Sequence, residues 1–299
     1  MIEVIFIGLS LASVLLLVAL GLAITYGAMG VINMAHGEMV MLGAYVTVFT
    51  GLYLHLNMLF AIPLAFVFTA LVGFVIERVV VRRLYGRLLD TLLATWGVAI
   101  LIQQAVRLEL GLSFFGIHIP GLGPGLQNVS VPTWLTGSLA IGSIGINGYR
   151  LFIIGVTAVL ALLTWVLMYR TSIGIQVRAI MRNPSMAAAC GIDTQRINAL
   201  TFAYGSGLAG VAGVMMSGFK TVFPDMGTPM VVDGFLVVVV GGVSSLVGSM
   251  LSATLLGQIN GATAYISNDI IARAVVFGFV ILVLITKPQG LFVMKGRRP

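Results

Sequence analysis

Seven stretches of this chain, near residues 4–26, 37–56, 58–76, 91–110, 151–169, 197–217 and 270–286, are apolar for long enough to cross a lipid bilayer. An eighth, 231–262, is equally apolar but is interrupted by Gly241-Gly242-Val243-Ser244-Ser245. Hydrocarbon offers no partner for backbone polar groups, so each clean run is expected to be a helix. The interrupted run is expected as two crossings or as one re-entrant hairpin, with its irregular backbone buried in protein or lining a cavity. Composition closes the alternative of a water-soluble fold. Of 299 residues, 59% are apolar and only 25 are charged (16 basic and 9 acidic), roughly a third of a soluble domain's share. Soluble enzymes, nucleic-acid binders and disulfide-stapled secreted domains are excluded. The expected architecture is an all-α integral membrane protein, a single transmembrane domain over 1–299 with about eight to nine membrane segments.

The charges that remain are sorted along the chain. Arg78, Arg82, Arg83 and Arg87 fill one connector, and Arg170, Arg178, Arg182 and Arg196 fill a second. Lys287, Lys295, Arg297 and Arg298 fill the C-terminal tail, so twelve of sixteen basic residues occupy three segments. Counting spans puts all three on one side, and basic loops mark the cytoplasmic side. The N-terminus is then expected outside and the C-terminus inside. The net charge of +7 reads as a topology signal and not as a nucleic-acid footprint. Met1-Ile2-Glu3 lacks the basic stretch of a secretory signal, so the first run is expected to stay as a span. The segment 111–150, with nine Gly and three Pro, falls on the outer face. It is too long for a tight connection, and folds over the outer mouth, meets a partner, or is a loose loop.

A search for catalytic chemistry returns little. The chain has no G-x-x-x-x-G-K-[ST] phosphate loop, so it does not hydrolyse ATP by that route. Ala203-Tyr204-Gly205-Ser206-Gly207 misses the first glycine of an intramembrane serine-protease string. His36, His55 and His118 lack metal-ligand spacing, and the single Cys190 forms neither a disulfide nor a cysteine-based metal site. No catalytic residue, metal or cofactor is expected in this chain.

Polar groups at membrane depth are costly unless paired, and they tend to be functional. Two places qualify. Between the first two runs lies Gly27-Ala28-Met29-Gly30-Val31-Ile32-Asn33-Met34-Ala35-His36-Gly37-Glu38. It reads as a broken helix with Asn33, His36 and Glu38 lining a pathway, or as a plain turn at the interface. Asp233, followed by Gly241 and Gly242, marks the second place. A Gly-interrupted apolar segment in each half of a chain points to a transport pathway between two repeats. Asp233 also suits the first turn of a helix. Rows of small residues, Ser206-x-x-x-Gly210, Ala209-x-x-x-Gly213 and Gly257-x-x-x-Gly261, allow close packing of spans.

The connector 170–196 carries a short helix signal: Asn183 as cap, Pro184 in the first position and Gly191 as a left-handed stop. Met186 protrudes among the small Ala187, Ala188 and Ala189. The helix is suited to a partner's groove, or is a solvated connector.

Over nearly its whole length the chain resembles permeases of branched-chain amino-acid-type ABC transporters. Gly30-Val-Ile-Asn33-Met-Ala-His36-Gly37-Glu38 with Leu42-Gly43-Ala44-Tyr45 looks like that family's first-half signature. Arg178-Ala179, Asn183, Met186-Ala187 and Gly191-Ile192 look like its ATPase-docking loop. The urea-transporting branch is resembled more narrowly by Leu93-Ala94-Thr95-Trp96-Gly97, by Ala199–Gly210 and by Lys287-Pro288-Gln289-Gly290-Leu291-Phe292 with Lys295-Gly296-Arg297. The resemblance implies a bacterial inner-membrane importer for urea or short-chain amides. It implies a second homologous permease subunit, two cytoplasmic ATPases that hold the ATP and Mg, and an extracytoplasmic solute-binding protein. Asn183, Pro184, Met186, Ala187, Ala188 and Gly191 would then couple to the ATPases. Where many permeases carry an acidic Glu-Ala-Ala string, this chain has Met186-Ala187-Ala188-Ala189, a departure that speaks against assuming a salt bridge at the docking surface. A neutral, hydrogen-bonding solute needs amide or hydroxyl partners, for which Asn33, Thr95, Gln103 and Gln104 are the candidates, with Trp96 as an apolar wall. The alternatives are a permease for branched-chain amino acids and a passive urea or amide channel.

Overall fold

The structure, a computed structural model, describes residues 2–116, 118–141, 144–242, 245–287 and 290–291. The tail residues Lys295, Arg297 and Arg298, and Val243 and Ser244 of the interrupted run, lie outside the described residues.

Twelve helices make up most of the described chain. In order they are α1 (Ile2–Met29), α2 (His36–Leu52), α3 (Met58–Val79), α4 (Leu88–Arg107), a single turn α5 (Thr133–Thr136) and α6 (Gly148–Arg170). Then come α7 (Ser172–Arg182), α8 (Pro184–Ala189), α9 (Thr194–Ser217), α10 (Gly227–Gly241), α11 (Leu246–Ile266) and α12 (Asp269–Thr286). Short 3-10 turns occupy Val81–Leu84 and Glu109–Phe115. A small antiparallel hairpin, β1 (Ser138–Ile141) with β2 (Ile144–Asn147), sets Ser138 opposite Asn147.

Six of these helices, α1, α3, α4, α6, α9 and α12, are long and apolar enough to cross a membrane, and α10 with α11 forms a pair bent by 119°. The eight to nine expected segments are reached when α2 and both arms of the pair are counted. At about 1.5 Å per residue the 17 residues of α2 and the 15 of α10 are too short for a full crossing. The run 231–262 thus forms a bent pair of helices, a short arm α10 and an arm α11 whose 21 residues are long enough to cross.

Burial sorts the helices into a centre and a lipid-facing ring. The spanning windows of α1 and α9 are 61% and 83% buried, against 22% to 28% for α3, α4, α6 and α12. The small residues of α9 make its position possible. Gly205 lies against Gly21 of α1, Gly210 against Gly43 of α2 and Thr69 of α3, and Gly213 against Val40 of α2. A Cβ at Gly43 or Gly213 would overlap a neighbouring carbonyl, so these crossings are close backbone contacts, the packing that lipid rewards. Gly257 and Gly261 bring α11 equally close to Ala12 and Gly8 of α1.

The basic connectors share one end of the bundle. Arg82 reaches Gln195 at the start of α9, Met181 of α7 covers Gly27 of α1, and Leu291 donates to the Val240 carbonyl of α10. At the opposite end the long connector lies across the helix tips. Tyr53 donates to Pro120 O at 3.0 Å, and Gln127 pairs with Val222 through two backbone bonds.

Candidate functional site

The first break in the apolar pattern is a return inside the bundle, not a surface turn. α1 ends where Gly30 adopts φ +63, a left-handed backbone that glycine takes without Cβ strain. Seven residues later α2 begins beside the middle of α1, where His36 Nε2 lies 3.2 Å from the Val18 carbonyl. The twelve residues of α1 from Val18 to Met29 rise about 16 Å, and the seven Cα steps from Met29 to His36 span up to about 23 Å. Thr95 of α4 ties this link, accepting from Met34 N at 3.1 Å and donating to Ile32 O at 3.4 Å.

A second return mirrors it. After α9 the chain runs through Gly218–Met226 and starts α10 at Gly227, whose backbone presses on Gly37. A Cβ on either glycine would overlap the other's carbonyl. The two short helices therefore meet at their N-terminal turns and diverge. α2 runs toward Pro120, and α10 runs toward Gly290 at the basic end.

Glu38 sits where they meet, 1% exposed. Its Oε1 accepts from Gln103 Nε2 of α4 at 2.9 Å and from Thr228 Oγ1 of α10 at 3.5 Å. The same Gln103 nitrogen is 2.9 Å from Thr228 Oγ1. The positive ends of two helix dipoles favour an acid there. Glu38 Oε2, Asn33 Oδ1, His36 Nδ1 and the Tyr45 hydroxyl are buried without a hydrogen-bond partner among the described residues. Since His36 Nε2 faces a carbonyl and donates, Nδ1 of the neutral ring is an acceptor. Three free, buried acceptors line one segment. Such atoms are rarely left empty in a packed interior. Toward the outer end of this seam Arg107 of α4 pairs with Asp225, with Tyr45 of α2 beside both.

The structure brings Glu38, Thr95 and Gln103 to a seam between α2, α4 and α10, with Asn33 on the link that Thr95 ties, while His36 turns to α1, its ring against Val18 and Gly21. It does not bring the others there. Trp96 is 53% exposed on the outer face of α4, and Gln104 is exposed beside the inward Gln103. Asp233 turns to α12 and pairs with Arg273 at 3.5 Å, lining a small cavity of about 80 Å³ with Lys220, Asn260 and Asp269. Gly241 and Gly242 form the tight corner between α10 and α11, with Gly242 at φ +93 and Gly241 against Gly248. The partner of the first break is thus Gly218–Gly227. Sequence reasoning missed Gly227, Thr228 and Tyr45. The signal was there in Gly218, Lys220, Pro224, Asp225 and Gly227, a cluster of breakers just ahead of an apolar run.

On the basic end the connector helix forms as the residues require. Asn183 Oδ1 caps it, accepting from Met186 N at 3.0 Å, and Pro184 opens it. Gly191, at φ +82, and Ile192 donate back to Ala188 and Ala187, a left-handed stop. Ala187 is buried against α7 and α9, while Met186 projects at 62% exposed. Among the described residues no group of His, Cys, Asp and Glu is arranged to hold a metal ion.

Comparison with known proteins identifies a permease family over most of the chain. The family described as branched-chain amino acid transport system / permease component matches residues 4–285. The high-affinity branched-chain amino acid transport system permease protein BraD of Pseudomonas aeruginosa is 31% identical, covering 95% of this chain and 93% of that protein. LivH of Salmonella typhimurium, named for the same transport, is 30% identical over 96% of this chain and 93% of its own length. A probable LivH from Methanocaldococcus jannaschii is 26% identical over 92% and 85%. No solved structure matches the chain.

Proposed function

Because this chain belongs to the family of branched-chain amino-acid transport permease components, we propose that it forms the membrane pathway of an ABC importer for branched-chain amino acids. What carries the solute class is the end-to-end likeness to relatives named for that transport. The working unit is this chain with a homologous second permease, two cytoplasmic ATP-binding subunits and an extracytoplasmic solute-binding protein. ATP and its Mg are held by the partners, and no reaction is catalysed here. The protein lies in the inner membrane with its basic end in the cytoplasm.

Solute passes along the seam of α2, α4 and α10. Two discontinuous helices meeting at their N-terminal turns suit a pathway at a repeat interface. The contact of Gly37 with Gly227 closes the seam, and its separation opens it. Glu38 Oε2 and Asn33 Oδ1 then offer acceptors to the solute's N–H groups, with Gln103, Thr95 and Thr228 beside them, while His36 anchors the start of α2 on α1. Asn183, Pro184, Met186, Ala187, Ala188 and Gly191 form the knob on which the ATPase dimer acts, with Met186 entering its groove.

A second reading, a neutral amide such as urea, is favoured by one observation. Neither α2 nor α10 contains Lys or Arg, and Arg107 is the single basic residue of α4, so the middle of the seam offers no cation to a carboxylate. Free acceptors suit amide N–H as well as ammonium. Uptake of labelled leucine and urea by cells lacking this chain separates the two. Lost leucine uptake with normal urea uptake supports the first reading, and the reverse replaces it with the second. If neither changes, the importer reading fails.

A further inference from the structure

At the basic end, Glu77 on the last turns of α3 is a carboxylate whose side chain has 0% exposure. Arg82 forks onto it, Nε donating to Oε1 at 3.4 Å and Nη2 to Oε2 at 3.3 Å. The Tyr85 phenol donates its proton to the same Oε1, and its oxygen rests 3.6 Å from the Met29 sulfur. Arg82 also extends to α9. Nη1 donates to Gln195 Oε1 at 3.5 Å and Nη2 to the Gln195 carbonyl at 3.4 Å.

The ends of this chain of contacts are informative. Gln195 is the second residue of α9, just past the connector helix α8 and its Gly191 stop. Met29 is the last residue of α1, directly ahead of the Gly30 break that leads into Asn33, His36 and Glu38. An apolar contact runs alongside, since Ala187 of α8, Ile197 of α9 and Ile24 and Ala28 of α1 share one buried cluster. A carboxylate cut off from water is tolerated only while paired, so Arg82 cannot follow α9 and abandon Glu77. The guanidinium, the carboxylate and the phenol shift as one body. Coupling between distant sites needs such a packed, rigid connection.

We propose that Glu77, Arg82 and Tyr85 are positioning residues that transmit displacement of α8 to the end of α1, and through it to the Glu38 seam. This rests on the reading of α8 as the ATPase-docking helix. The test is made on the complete importer, with both permeases, the ATPases and the solute-binding protein in proteoliposomes. The quantity read is solute moved per ATP hydrolysed, for wild type, Glu77→Gln, Tyr85→Phe and Gln195→Ala. Hydrolysis is expected to stay within about twofold of wild type while solute moved per ATP falls about tenfold in Glu77→Gln. A network that merely stabilises the fold lowers both rates together and leaves their ratio unchanged, and that result overturns the proposal. If Glu77→Gln does not assemble, Gln195→Ala decides: Gln195 is exposed, its loss removes the Nη1 contact while the backbone carbonyl still accepts from Nη2, and solute moved per ATP should fall severalfold, an unchanged ratio overturning the proposal. A wild-type importer whose hydrolysis ignores loaded binding protein overturns the docking reading itself, and this proposal with it.

Discussion

Glu38 shows how much a single position depends on its surroundings. Its Oε1 holds Gln103 and Thr228 while Oε2 has no partner among the described residues, so one atom supports the fold and the other is the one we propose to meet solute. Glu38→Ala removes the carboxylate oxygen that accepts from Gln103 and Thr228 and leaves Gln103 Nε2 only Thr228 Oγ1, at a cost of about 0.5–1.5 kcal/mol. We expect it to lower both the thermal midpoint in detergent and solute uptake. Glu38→Gln keeps an oxygen for Gln103, so its midpoint should stay near wild type while uptake falls. An alanine variant as stable as wild type would show that this hydrogen bond is not a structural support. The sequence flagged Asn33, His36 and Glu38 because ionisable and amide groups stand out in apolar text. It did not separate Gln103 from Gln104, or Thr95 from Trp96. Adjacent residues on a helix point about 100° apart, and only the neighbour that α4 packs against says which one faces inward.

Elements tell a similar story at a larger step. The connector helix α8, Pro184–Ala189, was readable to within one residue of its end, since a cap, a first-position proline and a terminal glycine are local signals. The outer connector was readable only as long and irregular, because what orders it comes from side chains nine or ten positions apart. Glu109 accepts from His118 Nδ1 at 3.0 Å and from the Ile119 amide, and these bonds, His118 first, hold its carboxyl below the usual carboxylate range. A lowered folded value contributes stability that is complete above the ordinary value of about 4.3 and is lost as pH falls through the folded value. Once corrected for the intrinsic rate, hydrogen exchange at the Ile119 amide should therefore be slow and flat near pH 6 and accelerate in acid, below the ordinary carboxylate value of about 4.3. In Glu109→Gln that acid acceleration should disappear.

For the whole molecule, the sorting of charge makes a prediction that needs no substitution. Cys190, the one cysteine, is exposed at the end of α8. A membrane-impermeant maleimide should label it in inside-out vesicles and not in intact spheroplasts, and bound ATPase subunits should protect it. Labelling from the outside would invert the proposed topology. The sequence by itself determined that the chain lives in lipid, that its basic connectors share one end, and that a capped helix stands at that end. Each of these follows from composition or from neighbours within a few residues. The tertiary structure alone decided which break meets which. Gly241 and Gly242 looked like the counterpart of Gly30–Glu38, yet they turn a corner, and Gly227 makes the contact with Gly37. Glycine in a sequence says only that backbones can come close. Which two backbones do so is set by how α1 and α9 fill the centre and force α2 and α10 to begin against each other.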